Sequence, residues 1–104
     1  MYEVSKIIKV IDGDTIRCNI EGLPDIIGQN ISIRFSGIDT PELNDPDPSI
    51  AAKARLAREY VAQRLSKAHT VYIIDRERGS FFRIVARIIV DGEDLCAELA
   101  KMHF

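Results

Sequence analysis

The N-terminal fifth of the chain contains two alternating segments joined by an aspartate–glycine pair, and this pattern constrains the fold more than any other. The apolar positions that alternate with polar ones are Ile8, Val10, Ile16, Cys18 and Ile20. A period of two is typical of a half-buried β-strand. Asp12-Gly13 separates the segments, and such a pair is common in β-hairpins because glycine tolerates a positive φ. The sequence therefore predicts a hairpin from about Val4 to Asn19.

Three later segments also predict strands. They run from about Gln29 to Gly37, Val71 to Asp75 and Phe82 to Val90. In the first of them, the residues expected on one face are Ile31, Ile33 and Phe35. The intervening sequence EGLPDIIG, residues 21–28, is rich in turn-forming residues and predicts a loop.

Two helices are expected, one in the middle of the chain and one at its end. The acidic sequence NDPDPS, residues 44–49, offers Asp47 as an N-cap and Pro48 at the first helical position. An apolar stripe at helical spacing follows, formed by Ile50, Ala54, Ala57, Val61, Leu65 and Ala68. After an Asp91-Gly92 turn, a short helix is expected from about Glu93 to Met102.

Five short strands with a helix after the third predict a mainly β fold with helices, a small Greek-key barrel of the OB type. A split α+β sandwich is the alternative. The 104 residues, 46% hydrophobic and 29% charged, suffice for a single domain spanning 1–104.

Composition and patterning also bear on localisation and partners. No apolar run approaches the roughly 18 residues of a membrane span, so no membrane partner is expected. The charged, alternating N-terminus does not resemble a signal peptide, so we expect a cytoplasmic protein unless a secretion signal has been removed. The net charge of −2 argues against nucleic-acid binding, which usually requires a basic surplus.

The two cysteines and two histidines do not suggest a cofactor site. Cys18 is in phase with Ile16 and Ile20, so we expect a small core residue, and Cys18 with Cys96 does not form a disulfide framework. His69 and His103 lack the spacing of zinc ligands.

Polar residues that could do chemistry concentrate in three segments. These are IDGDT at 11–15, RFSGIDTPEL at 34–43 and RERGSFFR at 76–83. Together they resemble the staphylococcal nuclease, or thermonuclease, family, in order and spacing over nearly the whole chain. The pair of motifs IDGDT and R-x4-DTPE is specific, whereas either alone would be weak.

The resemblance implies a calcium-dependent phosphodiesterase on an OB-fold barrel that cuts DNA and RNA and leaves 3′-phosphates. It implies that Asp14 and Asp39 are calcium ligands and that Thr40 contributes its backbone carbonyl. It also implies that Glu42 activates the attacking water, and that the phosphate is bound by Arg34 and Arg83. The implied partner is a nucleic acid, preferably single-stranded, and the protein is expected to be a monomer.

Physical chemistry reaches the same roles. Carboxylates at turns and strand ends can converge as hard oxygen ligands for Ca²⁺, and a further carboxylate can deprotonate water. Guanidinium groups bind phosphate oxygens bidentately, which lysine does not. Each residue also has a possible structural role without catalysis. Asp14 could stabilise the turn, Arg34 could form an ion pair with Asp39 or Glu42, and Arg83 could be a surface arginine.

Some features depart from the family and keep rival functions open. Phe81-Phe82 stands where the family commonly has Tyr-Gly, NDPDPS replaces lysine-rich loops, and the family's last helix is lacking. Base stacking is then expected from Phe81, Phe82 or Tyr72. A non-catalytic nucleic-acid- or protein-binding module of the same fold is the main alternative function, and a structural calcium-binding domain is a third.

Overall fold

The computed structural model describes residues 1–78 and 83–102, without the side chains of Asp75 and Arg78. The secondary structure in chain order is β1 Tyr2–Asp12, β2 Thr15–Ile20, α1 Asp25–Gly28, β3 Ile31–Phe35, α2 Pro48–Ser66, β4 Val71–Arg78, β5 Arg83–Val90, β6 Glu93–Asp94 and α3 Leu95–Met102. The predicted strand and helix order is confirmed, with α1 and the two-residue β6 as additions.

The first five strands close into a barrel. β1 pairs with β2 and β4, β2 with β3, and β4 with β5, all antiparallel, and a parallel pairing of β3 with β5 closes the ring. β6 pairs with β5 alone. The predicted mixed α+β architecture with an OB-type barrel is thereby confirmed, and the alternative of a split sandwich is wrong.

The barrel interior is filled by the inward side chains of alternating strand positions. Those with essentially no exposed surface include Ile16, Cys18, Ile33, Phe35, Ile73, Ile88 and Val90. Cys18 is confirmed as a core residue, and burial raises the pKa of its thiol to about 12. Helix α2 covers one side of this core through Ala54, Ala57 and Val61, while α3 adds Leu95 and Leu99.

Helix α2 begins as the sequence predicts. The Asp47 side chain accepts a hydrogen bond of 2.9 Å from the backbone N–H of Ser49, and Pro48 occupies the first turn. The buried stripe differs at its ends, since Ala51 is buried where Ile50 was expected, and Ile50 is 37% exposed. The buried stripe therefore begins at Ala51, three residues before Ala54, and the larger Ile50 side chain is partly exposed.

Three other expectations need correction. Asp12 pairs with Thr15, so the turn of the first hairpin consists of Gly13 and Asp14 rather than Asp12 and Gly13. Ile8 is 44% exposed because register shifts in β1 break its alternation. Residues 25–28 of the predicted loop form the single turn of α1.

Helices α2 and α3 are joined by a polar contact. The Glu98 carboxylate of α3 accepts hydrogen bonds from the Tyr60 hydroxyl at 2.6 Å and from Arg64 Nε and Nη2 at 3.0 and 2.8 Å. The Arg64 bonds, ahead of that of Tyr60, lower the pKa of Glu98 despite its partial burial. None of the described helices has the length and apolar character needed to cross a membrane.

Candidate active site

The site is built around the β1–β2 turn, where Gly13 permits an unusually close approach of three segments. A Cβ atom at Gly13 would lie 2.6 Å from the Cβ of Ala57 in α2 and 2.9 Å from Cγ2 of Thr40. Both distances are shorter than real Cβ contacts, so a larger residue at position 13 would require the neighbouring atoms to move. Because φ of Gly13 is not positive, the glycine is required by packing and not by backbone conformation.

Asp14 follows Gly13 and is the most enclosed acidic residue of the site. Its Oδ1 accepts a hydrogen bond from the Thr15 hydroxyl at 2.9 Å, and its Oδ2 accepts bonds from the backbone N–H of Thr40 at 3.0 Å and the Thr40 hydroxyl at 3.2 Å. Burial raises the pKa of Asp14, but bonds from Asp12, Thr40 and Thr15 and the charge of Arg34 outweigh it, so the pKa is lowered. Asp14 is therefore held as an anion.

Arg34 on β3 balances this anion. Its Nη1 lies 2.6 Å from Oδ2 of Asp14, and its Nη2 lies 3.5 Å from Oδ1 of Asp39. Nη1 is buried yet makes no aligned hydrogen bond with the described residues, so the contact with Asp14 is an ion pair alone. A buried donor without a hydrogen bond is unusual in a folded protein and is consistent with a site that receives an anionic ligand.

Asp12 belongs to this cluster, although the sequence analysis treated it as a turn residue. Its Oδ1 accepts a hydrogen bond of 3.0 Å from the backbone N–H of Asp14. Burial, followed by the side-chain hydrogen bond with Asp14 and the negative charges of Asp14 and Glu42, raises the pKa of Asp12 to about 6. Below about pH 6, Asp12 therefore holds the proton of this side-chain hydrogen bond and Asp14 is the anion. The signal in the sequence was the pair of aspartates flanking one glycine.

The loop after β3 brings the remaining predicted acids to the same side. Asp39 is directed to solvent, with 92% of its side chain exposed apart from its contact with Arg34. Glu42 is exposed and lies near enough to Asp12 to raise the pKa of that carboxyl. The structure thus brings together Asp14, Arg34, Asp39 and Thr40 by direct contact, and Glu42 through its charge.

Arg83 lies at the first residue of β5, on the outer face of the barrel. In the parallel pairing of β3 with β5, Ser32 pairs with Arg83 and Arg34 with Val85. Arg83 is therefore one strand across and two residues along from Arg34, about 8 Å between Cα atoms by standard strand spacings. Arg83 is exposed, which leaves its guanidinium accessible from the side on which Arg34 lies.

Arg87 shares the outer face of β5 but has a different partner. Its Nε donates a hydrogen bond of 2.7 Å to Oδ2 of Asp94, and its Nη2 contacts the same oxygen. Asp94 also accepts a bond of 3.1 Å from the backbone N–H of Ala97 in the first turn of α3. Arg87 is thus tied to the start of α3.

Of the aromatic residues expected to stack on bases, the structure describes only Tyr72. Phe81 and Phe82 lie outside the described residues. Tyr72 pairs with Ile89, six residues along β5 from Arg83, which corresponds to about 20 Å of strand. Tyr72 is therefore distant from Arg83, and its stacking on a base stays a prediction.

The donor chemistry of the cluster suits a hard divalent cation. Carboxylate oxygens from Asp12, Asp14 and Asp39 are the ligand type that Ca²⁺ prefers, and a cation would offset the negative charge of Asp12 and Asp14. The contacts of Thr40 with Asp14 use its N–H and hydroxyl, which leaves the role of its carbonyl a prediction. Among the described residues, no three histidine, cysteine or acidic side chains already converge as a metal-binding group.

Comparison with known proteins agrees with the motifs. The family model described as "Staphylococcal nuclease homologue" matches residues 32–103. The chain is 29% identical over 97 residues to a thermonuclease of Staphylococcus hyicus, covering 92% of this chain and 54% of that protein. It is 30% identical over 94 residues to a thermonuclease of Staphylococcus intermedius, covering 89% of this chain and 52% of that protein.

The chain thus spans about half the length of these relatives. The family match covers well over half of the chain and includes β3, Arg34, the DTPE loop and Arg83. On this match, the chain belongs to the staphylococcal nuclease homologue family.

Proposed function

We propose that this chain is a calcium-dependent nuclease that hydrolyses phosphodiester bonds of DNA or RNA, preferably single-stranded. The observation that supports this most strongly is the convergence at one turn of Asp12, Asp14, Thr40 and Arg34, which come from three separate segments. A purely structural ion pair between Arg34 and Asp14 would not need a second carboxyl group at Asp12, whose pKa is raised by burial, by its hydrogen bond with Asp14 and by the negative charges of Asp14 and Glu42.

Arg34 and Arg83 are assigned to the scissile phosphate. Their diagonal placement on adjacent strands lets two long side chains reach one group in front of the barrel wall. In hydrolysis, negative charge accumulates on the non-bridging phosphate oxygens, and two guanidinium groups can donate N–H bonds to them.

Glu42 is assigned the role of activating the attacking water. It is exposed beside Asp12, so solvent reaches its carboxylate. As a general base, Glu42 takes a proton from water while the oxygen of that water forms a bond to phosphorus. The bond from phosphorus to the leaving sugar oxygen breaks, and this oxygen takes a proton from solvent.

The calcium ion is assigned to Asp14 and Asp39, with Thr40 contributing its carbonyl. When bound, such an ion supplies positive charge that stabilises the phosphate charge developing in the transition state. The protein contributes the position of Asp14, which bonds from Thr15 and Thr40 hold in place. Asp39 is exposed and therefore able to adjust to a ligand.

The net charge of −2 weighs against a nuclease, and the alternative is a non-catalytic nucleic-acid- or protein-binding module of the same fold. A cleavage assay separates the two. The chain is incubated with end-labelled single-stranded DNA in millimolar calcium or in excess chelator. We expect fragments in calcium and intact DNA in chelator, and no fragments with Glu42→Gln. Retention of intact DNA by the chain in calcium would support the binding module instead.

A further inference from the structure

A second basic surface lies beside the candidate site, in a groove between β1 and α2. The groove has a volume of about 380 Å³ and is lined by Lys9, Val10, Arg55, Arg58, Glu59 and Ala62. This size is within the range of small-ligand clefts, roughly 300–1,000 Å³. We refer to these six residues as the β1–α2 groove.

The three cations of the β1–α2 groove, unlike Arg34, Arg64 and Arg87, have no carboxylate partner among the described residues. Arg34, Arg64 and Arg87 are in ion pairs. Across residues 1–78 and 83–102, by contrast, no ion pair involves the three groove cations, Lys9, Arg55 and Arg58. Arg58 Nε donates a bond of 3.2 Å to the carbonyl of Val10, which fixes its side chain across the groove. Three cations against the one acidic residue Glu59 give the groove a positive charge on an acidic protein.

The groove lies close to the candidate site along the chain. Lys9 and Val10 immediately precede Ile11 and Asp12 on β1, so about 10 Å of strand separates Lys9 from Asp12. On the helix side, Ala57 packs against Gly13 of the turn and lies between Arg55 and Arg58 in sequence. A ligand that leaves the site along β1 therefore passes toward the groove.

We propose that the β1–α2 groove binds the backbone of a single-stranded polynucleotide beyond the scissile phosphate. The inference rests on the proposed function, because the proximity of the groove to the phosphodiester site favours a nucleic acid over an acidic peptide. The cations bind successive phosphates, and the apolar floor of Val10 and Ala62 packs against sugars. The groove thereby offsets the unfavourable net charge of the molecule.

The test is binding of labelled single-stranded DNA by fluorescence anisotropy in chelator, across a salt series. Binding without cleavage keeps this measurement valid even if the chain hydrolyses nothing, so the two proposals can fail separately. The variant is Lys9→Gln/Arg55→Gln, which keeps the bond of Arg58 to Val10. The matched control is Lys53→Gln/Lys67→Gln, which removes two positive charges from the side of α2 that carries Tyr60 and Arg64.

Each phosphate contact to a single strand contributes about 0.7 to the slope of log affinity against log salt. We therefore expect the slope to fall by about 1.4 in Lys9→Gln/Arg55→Gln and to stay near wild type in the control. We also expect the variant to lose the affinity that the wild type gains between about four and about eight nucleotides, the lower part of the usual site-size range.

Three results would overturn the proposal. An equal decrease of the slope in both variants would mean that the net charge of the protein alone determines DNA binding. An unchanged slope in Lys9→Gln/Arg55→Gln would mean that DNA passes elsewhere. Binding of labelled polyglutamate that is lost in this variant, with no DNA binding by the wild type, would assign the groove to an acidic peptide.

Discussion

Arg83 and Arg87 lie four residues apart on one face of β5, and their contacts indicate different roles. Arg87 is bonded to Asp94, whereas Arg83 is exposed at the end of the strand near Arg34. Arg83→Lys keeps the positive charge and loses the planar pair of donors. We expect it to lower single-turnover cleavage by about 10²-fold, the usual effect of losing one transition-state donor.

Arg87→Lys is the matched control on the same strand. Because Arg87 joins β5 to the start of α3, we expect this change to lower the melting temperature and to leave cleavage by the remaining folded protein near wild type. A larger loss of turnover in Arg87→Lys than in Arg83→Lys would show that the arginines have been assigned in the wrong order.

At the residue scale, the sequence predicted the identity of the cluster better than its contacts. IDGDT and DTPE identified Asp14, Asp39, Thr40 and Glu42, and the structure places these residues on one side of the barrel. The participation of Asp12 was missed, because an aspartate before a glycine at a strand end predicts a turn. Its burial and its contact with the Asp14 carboxylate, which raise its pKa, depend on the fold. Contacts between segments distant in sequence, such as Gly13 with Ala57, have no local signal.

At the element scale, Glu98 joins α2 to α3 and should make stability depend on pH. The pKa of Glu98 is lowered in the folded state, so its contribution is present above the unfolded value near 4.5 and is lost as the pH falls through the folded value. Glu98→Gln removes the charge that Arg64 and Tyr60 bind. We expect it to cost about 1.5–3 kcal/mol at pH 7, the range for hydrogen bonds to charged groups.

Urea denaturation at several pH values measures this difference. The gap in unfolding free energy between wild type and Glu98→Gln should narrow as the pH falls below about 4.5, because the wild-type carboxyl then becomes protonated. A gap that is constant down to pH 3 would contradict a charged Glu98 in the folded protein.

The elements themselves were largely predictable because their signals are local. The alternation of β3 and the cap at Asp47 each depend on residues a few positions apart, and both are confirmed. The errors arose where tertiary packing decided the outcome. Register shifts in β1 expose Ile8, and the close packing of Gly13 on α2 accompanies a turn displaced by one residue.

At the scale of the whole molecule, calcium should stabilise the fold if the carboxyl cluster binds it. The crowding that raises the pKa of Asp12 weakens the native state near neutral pH, and a bound cation would relieve it. At 100 times its dissociation constant, calcium should add about 2.7 kcal/mol to stability. Thermal melts in calcium and in chelator, at matched ionic strength, measure this gain. Identical midpoints would contradict a calcium site.

The most direct test of the proposed mechanism separates the carboxylate that activates water from those that bind calcium. The measurement is a calorimetric calcium titration paired with a single-turnover cleavage assay, on Glu42→Gln and Asp39→Asn. Glu42→Gln should lower the rate by about 10²–10⁴-fold, the usual contribution of a general base, with calcium affinity little changed. Asp39→Asn should weaken calcium binding and regain part of its activity at high calcium. Loss of calcium binding in Glu42→Gln, with normal binding in Asp39→Asn, would contradict the assignment of both residues.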